Sequence, residues 1–146
     1  MTIIELLRTE HTVFNVFLDE IEAVLPQIAT LGELRLLIRL VARFLQQHGH
    51  KEEDLLYPAI DQMQVERGEM TEMAQEHVEL DQRILQVAII RDLSEALKQF
   101  GQIIQSVRQH FDYEERHLFP LAEKVLQSGS LVALGGVTEP TISQAL

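Results

Sequence analysis

Two stretches of eleven residues, HGHKEEDLLYP at 48–58 and HFDYEERHLFP at 110–120, are closely similar to each other. Aligned without gaps, both begin with a histidine, carry two consecutive glutamates and a leucine, and end with a proline that follows an aromatic residue. Five identities in eleven positions indicate a duplicated unit.

The pattern of apolar residues around the two repeats is that of an α-helical protein. Apolar residues recur at spacings of three and four along most of the chain, and glycine and proline are sparse. The first helix should begin after Thr2, a suitable N-cap, and should end near Leu25 because Pro26 follows. The remaining helices are predicted at about 32–63, 69–91 and 93–127. We therefore predict an all-α protein.

Long helices joined by short connections favour antiparallel neighbours, so we predict an up-down-up-down four-helix bundle for residues 1–127. Residues 128–146 contain three glycines and a proline, and we predict a loosely structured C-terminal extension there. Pro58 and Pro120 fall inside the second and fourth predicted helices. Because proline removes one backbone hydrogen bond and clashes with the preceding turn, we expect a kink at each.

The composition argues against several classes of function. The chain has no cysteine, so disulfides, zinc-thiolate sites and iron-sulfur clusters are excluded. A net charge of −11, with lysines and arginines scattered singly, argues against a nucleic-acid partner. No apolar run is long enough to span a membrane, and Glu5 falls where a signal peptide would be apolar. We expect a cytoplasmic protein without nucleic-acid or membrane partners.

Each repeat places a histidine and a glutamate on the apolar face of its helix. Residues four apart share a face of an α-helix and lie about 6 Å apart along its axis. A buried carboxylate without a partner costs several kcal/mol, and no lysine or arginine is placed to neutralise one here. The first and third helices each add a histidine on their apolar stripe. The candidate metal ligands are His11, His48, Glu52, His77, His110 and Glu114.

These ligand types in the middle of a helical bundle are typical of a non-haem iron or manganese site. One histidine on an apolar face is more often a hydrogen-bonded core residue, and one His-x-x-x-Glu pair arises often by chance. Two aligned copies, with an inward histidine on each remaining helix, favour the metal site strongly over a purely polar core.

The motifs resemble those of the hemerythrin-like family, in particular its HHE cation-binding domains, over about residues 3–127. The motifs that carry the resemblance are Glu10-His11, HxxxEExLLYP from His48, Glu76-His77 and HxxxEExxLFP from His110. The resemblance implies a left-handed four-helix bundle that holds two iron ions, bridged by the two glutamates and by an oxo or hydroxo group. It further implies that His11 and His48 bind one iron, that His77 and His110 bind the other, and that Glu52 and Glu114 span both.

Within the family, the residues are more similar to some members than to others. Oxygen-carrying hemerythrins have another histidine one turn before the ligand that His77 matches, where this chain has Met73. They also have an aspartate five residues after the last histidine, whereas Glu114 comes four residues after it. The set of four histidines and two glutamates looks more like that of iron-centre repair proteins and of the iron- and oxygen-sensing hemerythrin domain of a ubiquitin ligase.

The expected function is therefore that of a di-iron protein that binds or senses O2, NO or peroxide, or that handles iron. A di-iron enzyme, or a repair protein acting on damage by NO or peroxide, is the alternative. A helical adaptor without metal is the third possibility. No residue outside the predicted centre suggests an independent substrate pocket or acid-base apparatus, which favours binding over turnover.

Other polar residues of the repeats have open roles. His117, seven residues after His110, is either a seventh ligand, a hydrogen-bond partner of a ligand or a residue at the edge of the core. Tyr113 either donates to a ligand or fills the edge of the bundle. His50 points well away from His48 and should be solvated. Glu53 and Glu115 should also be solvated, unless they guide incoming cations.

Overall fold

The computed structural model describes residues 1–63 and 68–137, and every regular element in these ranges is helical. The prediction of an all-α protein is confirmed. The α-helices are α1 (Ile3–Val24), α2 (Leu31–Lys51), α3 (Tyr57–Gln62), α4 (Glu69–Ala88), α5 (Leu93–Tyr113), α6 (Phe119–Val125) and α7 (Ser128–Val137). A 3-10 turn, Leu25–Gln27, follows α1. No helix in the described ranges combines the length and the apolar character needed to cross a membrane.

Three of the long helices have an N-cap residue whose side chain accepts a hydrogen bond from a backbone N–H of the first turn. Thr2 accepts a hydrogen bond from the backbone N–H of Glu5, whose carboxylate accepts one from the Thr2 N–H, so the predicted N-cap is confirmed. Thr30 and Glu33 form the same capping box at the start of α2. Asp92 caps α5. The sequence thus contains the local signals that position these helices.

A π turn precedes each of the two repeat prolines. The turn Glu52–Leu56 joins α2 to α3, and the turn Glu114–Leu118 joins α5 to α6. Pro58 and Pro120 then occupy the first turn of the following helix, a position at which proline is common. A π turn, a local widening that is frequent at functional sites, therefore lies just before each proline, and the kinks stay a prediction.

The described core contains two buried apolar clusters, which we call the first and second clusters. The first lies between α1, α2, α4 and α5, and its largest members are Phe14, Phe100, Phe111, Leu18, Leu34 and Ile38. The second lies beyond the π turns and includes Ile3, Ile4, Leu7, Leu56, Tyr57, Met73, Leu118, Phe119 and Leu131. On each of the four long helical segments, the inward histidine falls between residues of the two clusters, as His11 falls between Leu7 and Phe14. A polar layer therefore divides the core.

The C-terminal segment differs from the expected loose extension as far as residue 137. Residues Ser128–Val137 form α7, which packs on the start of α1, with Leu131 only 6% exposed. Gly135 lies directly against the backbone of Met1 and Thr2, an approach that a side chain would prevent. Burial of Leu131 in the second cluster favours the helix in spite of its glycines. Residues 138–146 lie outside the described residues, and the division of the chain at residue 127 stays a prediction.

Candidate metal centre

The structure brings the six candidate ligands together in the polar layer of the core. Two groups of side chains offer ligand atoms that all lie within 4.8 Å of one another. One group contains His11 and His48, the other contains His77 and His110, and both contain Glu52 and Glu114. Both glutamates are fully buried, and the histidines are buried or nearly so. This is the grouping that the family resemblance implies.

Helix geometry places each glutamate beside the histidine of its own repeat. Glu114 Oε1 lies 2.8 Å from His110 Nε2, one turn back on the same helical segment. Glu52 Oε1 lies 3.4 Å from His48 Nε2 in the same way. Glu52 begins one π turn and Glu114 begins the other. The other oxygens of the two carboxylates reach the opposite half of the cluster, with Glu52 Oε2 3.4 Å from His77 Nε2 and Glu114 Oε2 3.1 Å from His11 Nε2.

The Nδ1 atom of each clustered histidine contacts a carboxylate outside the cluster. Because an ionised carboxylate can only accept, Nδ1 donates the hydrogen bond and carries the proton. When the ring is neutral, its Nε2 lone pair then faces the centre of the cluster, as in metal-bound histidines. The Nδ1–oxygen pairs are His11–Glu115 at 2.9 Å, His48–Glu10 at 2.9 Å, His77–Glu53 at 2.6 Å and His110–Glu76 at 2.8 Å.

These outer carboxylates correct part of the sequence interpretation. Glu53 and Glu115 were expected to be solvated, yet each is only partly exposed and accepts a hydrogen bond from a clustered histidine. In the sequence, Glu10 and Glu76 stand out only as neighbours of histidines. The sequence does contain a signal for these four carboxylates. Each half of the chain has one Glu-Glu and one Glu-His dipeptide. The histidine that each carboxylate contacts lies on another helix, so only the folded chain pairs them.

The interior of the cluster contains acceptors without donors. None of the four oxygens of Glu52 and Glu114 has a hydrogen-bond partner among the described residues, although imidazole nitrogens lie close to them. The Nε2 atoms of His11 and His48 are 3.0 Å apart, and those of His77 and His110 are 2.9 Å apart. At such a distance, two neutral rings with protonated Nδ1 atoms would oppose two lone pairs, whereas one protonated Nε2 would donate a hydrogen bond to its neighbour.

The electrostatics of the site favour positive charge at its centre. Burial alone would lower the pKa of the His110 imidazole, but the Glu114 carboxylate raises it to about 9. The pKa of His48 is likewise held well above its usual value by Glu52 and by hydrogen bonds, against the effect of burial. Burial opposes ionisation of Glu114, but His110 and His11 hold its pKa well below the ordinary value. A cation would satisfy the same carboxylates.

The donor set fits a transition-metal centre. Imidazole nitrogen and carboxylate oxygen are the ligands that iron and manganese take in helical bundles. A cation between the facing Nε2 atoms would accept their lone pairs and would neutralise the two orphaned carboxylates. The outer carboxylates, which fix the rings, are the usual supports of metal-bound histidines.

Tyr57 is a further polar group beside the cluster. Its side chain is 4% exposed and stacks on His77, with ring centroids 6.0 Å apart. Its hydroxyl is buried and has no hydrogen-bond partner among the described residues. Burial, and then the nearby Glu52 and Glu114 carboxylates, raise the pKa of this phenol well above its ordinary value. Phe119 occupies the aligned position in the other repeat.

The remaining candidate residues lie away from the ligand cluster. His117 is exposed and contacts the ring of Tyr113, so it occupies the edge of the bundle and belongs to neither ligand group. The Tyr113 hydroxyl donates to Glu69, not to a clustered side chain. His50 is exposed. Met73 is buried in the second cluster, one turn before His77.

Comparison with known proteins identifies one family. The model of the hemerythrin HHE cation-binding domain matches residues 2–122, which include all six candidate ligands. Searches of curated proteins and of solved structures each give no match.

Proposed function

Because the chain belongs to the hemerythrin family of HHE cation-binding domains, we propose that it binds two iron ions with the six clustered side chains. In this proposal His11 and His48 bind one ion, His77 and His110 bind the other, and Glu52 and Glu114 bridge the two. An oxo or hydroxo group would complete the bridge. The observation that carries the proposal is the set of buried carboxylate oxygens without donors, which face imidazole Nε2 atoms at 2.8–3.4 Å.

The proposed bundle topology is up-down-up-down and left-handed. The order of apolar clusters along the chain supports the alternation. Helix α1 runs from the second cluster to the first, α2 runs back, and α4 and α5 repeat this pattern. Such alternation is expected of antiparallel neighbours.

We propose that the centre binds or senses a small molecule such as O2, NO or peroxide, or that it handles iron. Bound iron would supply redox chemistry and an open coordination position. Two histidines and the two shared glutamates would hold each ion. The protein would hold the imidazoles through the outer carboxylates and would keep bulk water away from the buried glutamates.

An enzyme that turns over NO or peroxide, or a repair protein for damaged iron centres, is the second candidate. The same ligand set would serve either role. Steady-state assays with NO and with peroxide distinguish the classes, because a binding protein should take up its ligand once per centre without sustained turnover.

Metal analysis tests the proposed centre directly. Protein produced in iron-rich medium should contain two iron ions per chain, and the double variant Glu52→Gln/Glu114→Gln should lose them. The variant Glu20→Gln, which alters an exposed carboxylate of α1 remote from the cluster, should retain both ions. One ion or none in the parent protein would contradict the two-metal centre. Absence of metal together with unchanged melting after chelation would indicate the helical adaptor.

A further inference from the structure

The duplicated unit allows the two halves of the proposed centre to be compared position by position. We call His11 and His48 the first half and His77 and His110 the second half. The repeat alignment matches Phe111 with Gly49 and Arg108 with Gln46. Matching the two Glu-His pairs likewise aligns Asn15 with Asp81, each four residues after its histidine.

In the first half two of these positions carry larger side chains, which line an open groove beside His11. The ring of Phe111 stacks on His11, with centroids 4.1 Å apart and planes 18° from parallel. The Arg108 guanidinium donates to Asn15 at 3.1 Å and to Asp19 at 2.6 Å. The Phe111 ring and the Arg108 side chain therefore fill part of the space between α1 and α5, and the groove that remains beside His11 is open to solvent.

In the second half the matching positions leave a cavity. Gly49 has no side chain to cover His77, and Gln46 replaces the arginine. A cavity of about 60 Å³ lies between α2 and α4, lined by residues that include His48, His77 and His110. Exposed residues of its lining, among them Gln46 and Asp81, place its mouth at the surface. Since a single water needs roughly 10–15 Å³ in such a cavity, there is room for a molecule of a few atoms.

We propose that this cavity admits an uncharged molecule of two to four atoms and holds it against the second half of the centre. The inference rests on the proposed metal centre. It adds that the ligand reaches the centre from the side between α2 and α4. It also makes the two halves unequal in access, although each contributes two histidines and shares both glutamates.

The lining of the cavity determines the class of ligand. Leu45, Leu80 and Phe111 supply apolar surface, which suits weakly polar molecules such as O2 and NO. Glu53 and Asp81 add two carboxyl groups, in a chain whose net charge is −11. His50 is the basic side chain near the mouth, and it is exposed to solvent. Anions such as azide should enter more slowly than neutral molecules of the same size.

Two variants that fill the cavity test the route. Leu80→Phe introduces the residue found at the aligned position, Phe14, and Gly49→Phe introduces the residue found at Phe111. Gly49→Phe also presses on His77, because a Cβ at position 49 would lie 3.2 Å from its Nδ1. Leu80→Phe avoids that contact, so it is the primary variant. Thr12→Phe is the matched control, since it adds the same ring at an exposed position beside His11.

The measurement is the rate of NO association with the iron-loaded ferrous protein, with metal content determined on the same sample. We expect Leu80→Phe to slow association by about tenfold or more while retaining both irons, and Thr12→Phe to match the parent. An unchanged rate in iron-loaded Leu80→Phe, or slowing by Thr12→Phe, would overturn the route. Loss of iron from both filling variants would also overturn the route. The cavity would then be space that the metal-binding side chains need in order to hold the iron ions. Absence of iron in the parent would instead refute the proposed function.

A charge variant tests the ligand class. Asp81→Asn should increase the rate of azide association several-fold and leave the rate of NO association unchanged. Equal responses of the two probes would refute selection by charge at the mouth.

Discussion

At the scale of single residues, each histidine of the cluster has two different neighbours. Its Nε2 atom faces the buried glutamates, and its Nδ1 atom donates to a carboxylate on another helix. The second contact determines which nitrogen carries the proton and in which direction the lone pair points. In the first half, Arg8 and Lys51 in turn pair with the outer carboxylates Glu115 and Glu10, which strengthens that arrangement.

Removal of one outer carboxylate should weaken metal binding without removing a ligand. Glu53 is the best choice, because its 2.6 Å contact with His77 is the shortest of the set. We expect Glu53→Ala to lower metal affinity by roughly 10–100-fold, measured by competition with a chelator. Glu20→Ala is the control, and its affinity should equal that of the parent. Equal affinities for parent and Glu53→Ala would show that Glu53 does not orient His77.

The Tyr57 hydroxyl should cost stability in the metal-free protein. A buried hydroxyl without a partner costs about 1–3 kcal/mol of desolvation. We expect metal-free Tyr57→Phe to melt at the same temperature as the parent or higher, because Phe119 shows that phenylalanine suits the aligned position. Calorimetric melting measures the change. A clearly lower melting temperature would mean that the hydroxyl has a bonding partner in the folded protein.

At the scale of elements, a π turn interrupts the helix of each repeat at the same aligned position. The two π turns begin at Glu52 and Glu114, and each allows a proline to start the next helix. The second cluster lies beyond these turns, and α7 covers its outer side at the start of α1. Packing of α7 depends on the close approach of its backbone to residues Met1 and Thr2.

A methyl group at position 135 should disturb the packing of α7. The Cβ of Gly135→Ala would overlap the Met1 carbonyl and lie 2.9 Å from the Thr2 carbonyl carbon, and a backbone cannot yield as a flexible side chain can. We expect a loss of about 1–3 kcal/mol in the free energy of unfolding, measured by urea denaturation. Gly136→Ala is the matched control, since a Cβ there meets no described atom within 4 Å other than those of its chain neighbours and its own helix backbone. Equal stabilities of the two variants would contradict the packing.

At the scale of the whole molecule, the fold holds a charged layer between two apolar clusters. Glu52 and Glu114 are each fully buried, and their oxygens lack hydrogen-bond donors in the described structure. Domains of this size have a total free energy of unfolding of about 5–15 kcal/mol. Without metal, burial of these two carboxylates therefore lowers the stability by a large fraction of that total. A metal that binds the folded chain would turn the layer into a source of stability.

Iron should therefore raise the melting temperature of the protein. Free metal at 100 times its dissociation constant contributes about 2.7 kcal/mol, which corresponds to a rise of roughly 5–11 °C. Melting curves of chelated and iron-reconstituted protein measure the difference. The double variant Glu52→Gln/Glu114→Gln should show no such rise. Equal melting temperatures of the chelated and reconstituted parent would argue against buried metal ligands.

The sequence by itself determined the helices and the members of the candidate site. Helical periodicity, Thr2 as a cap and Pro26 after the first helix are local signals that need no knowledge of the fold. The six candidate ligands could be selected because charged residues recur on apolar faces at helical spacing, and a repeat makes that pattern visible twice. The structure then brought the selected side chains together.

The tertiary structure decided the features that depend on residues far apart in the chain. It paired Glu53 with His77 and Glu115 with His11, which are 24 and 104 residues apart in sequence. It also placed a π turn before each repeat proline and packed α7 on α1. The cavity beside Gly49 likewise depends on tertiary packing, because it forms only where α4 packs against α2 at the position that lacks a side chain. Periodicity along one helix specifies its buried face, whereas the partner of that face is specified only when the helices pack.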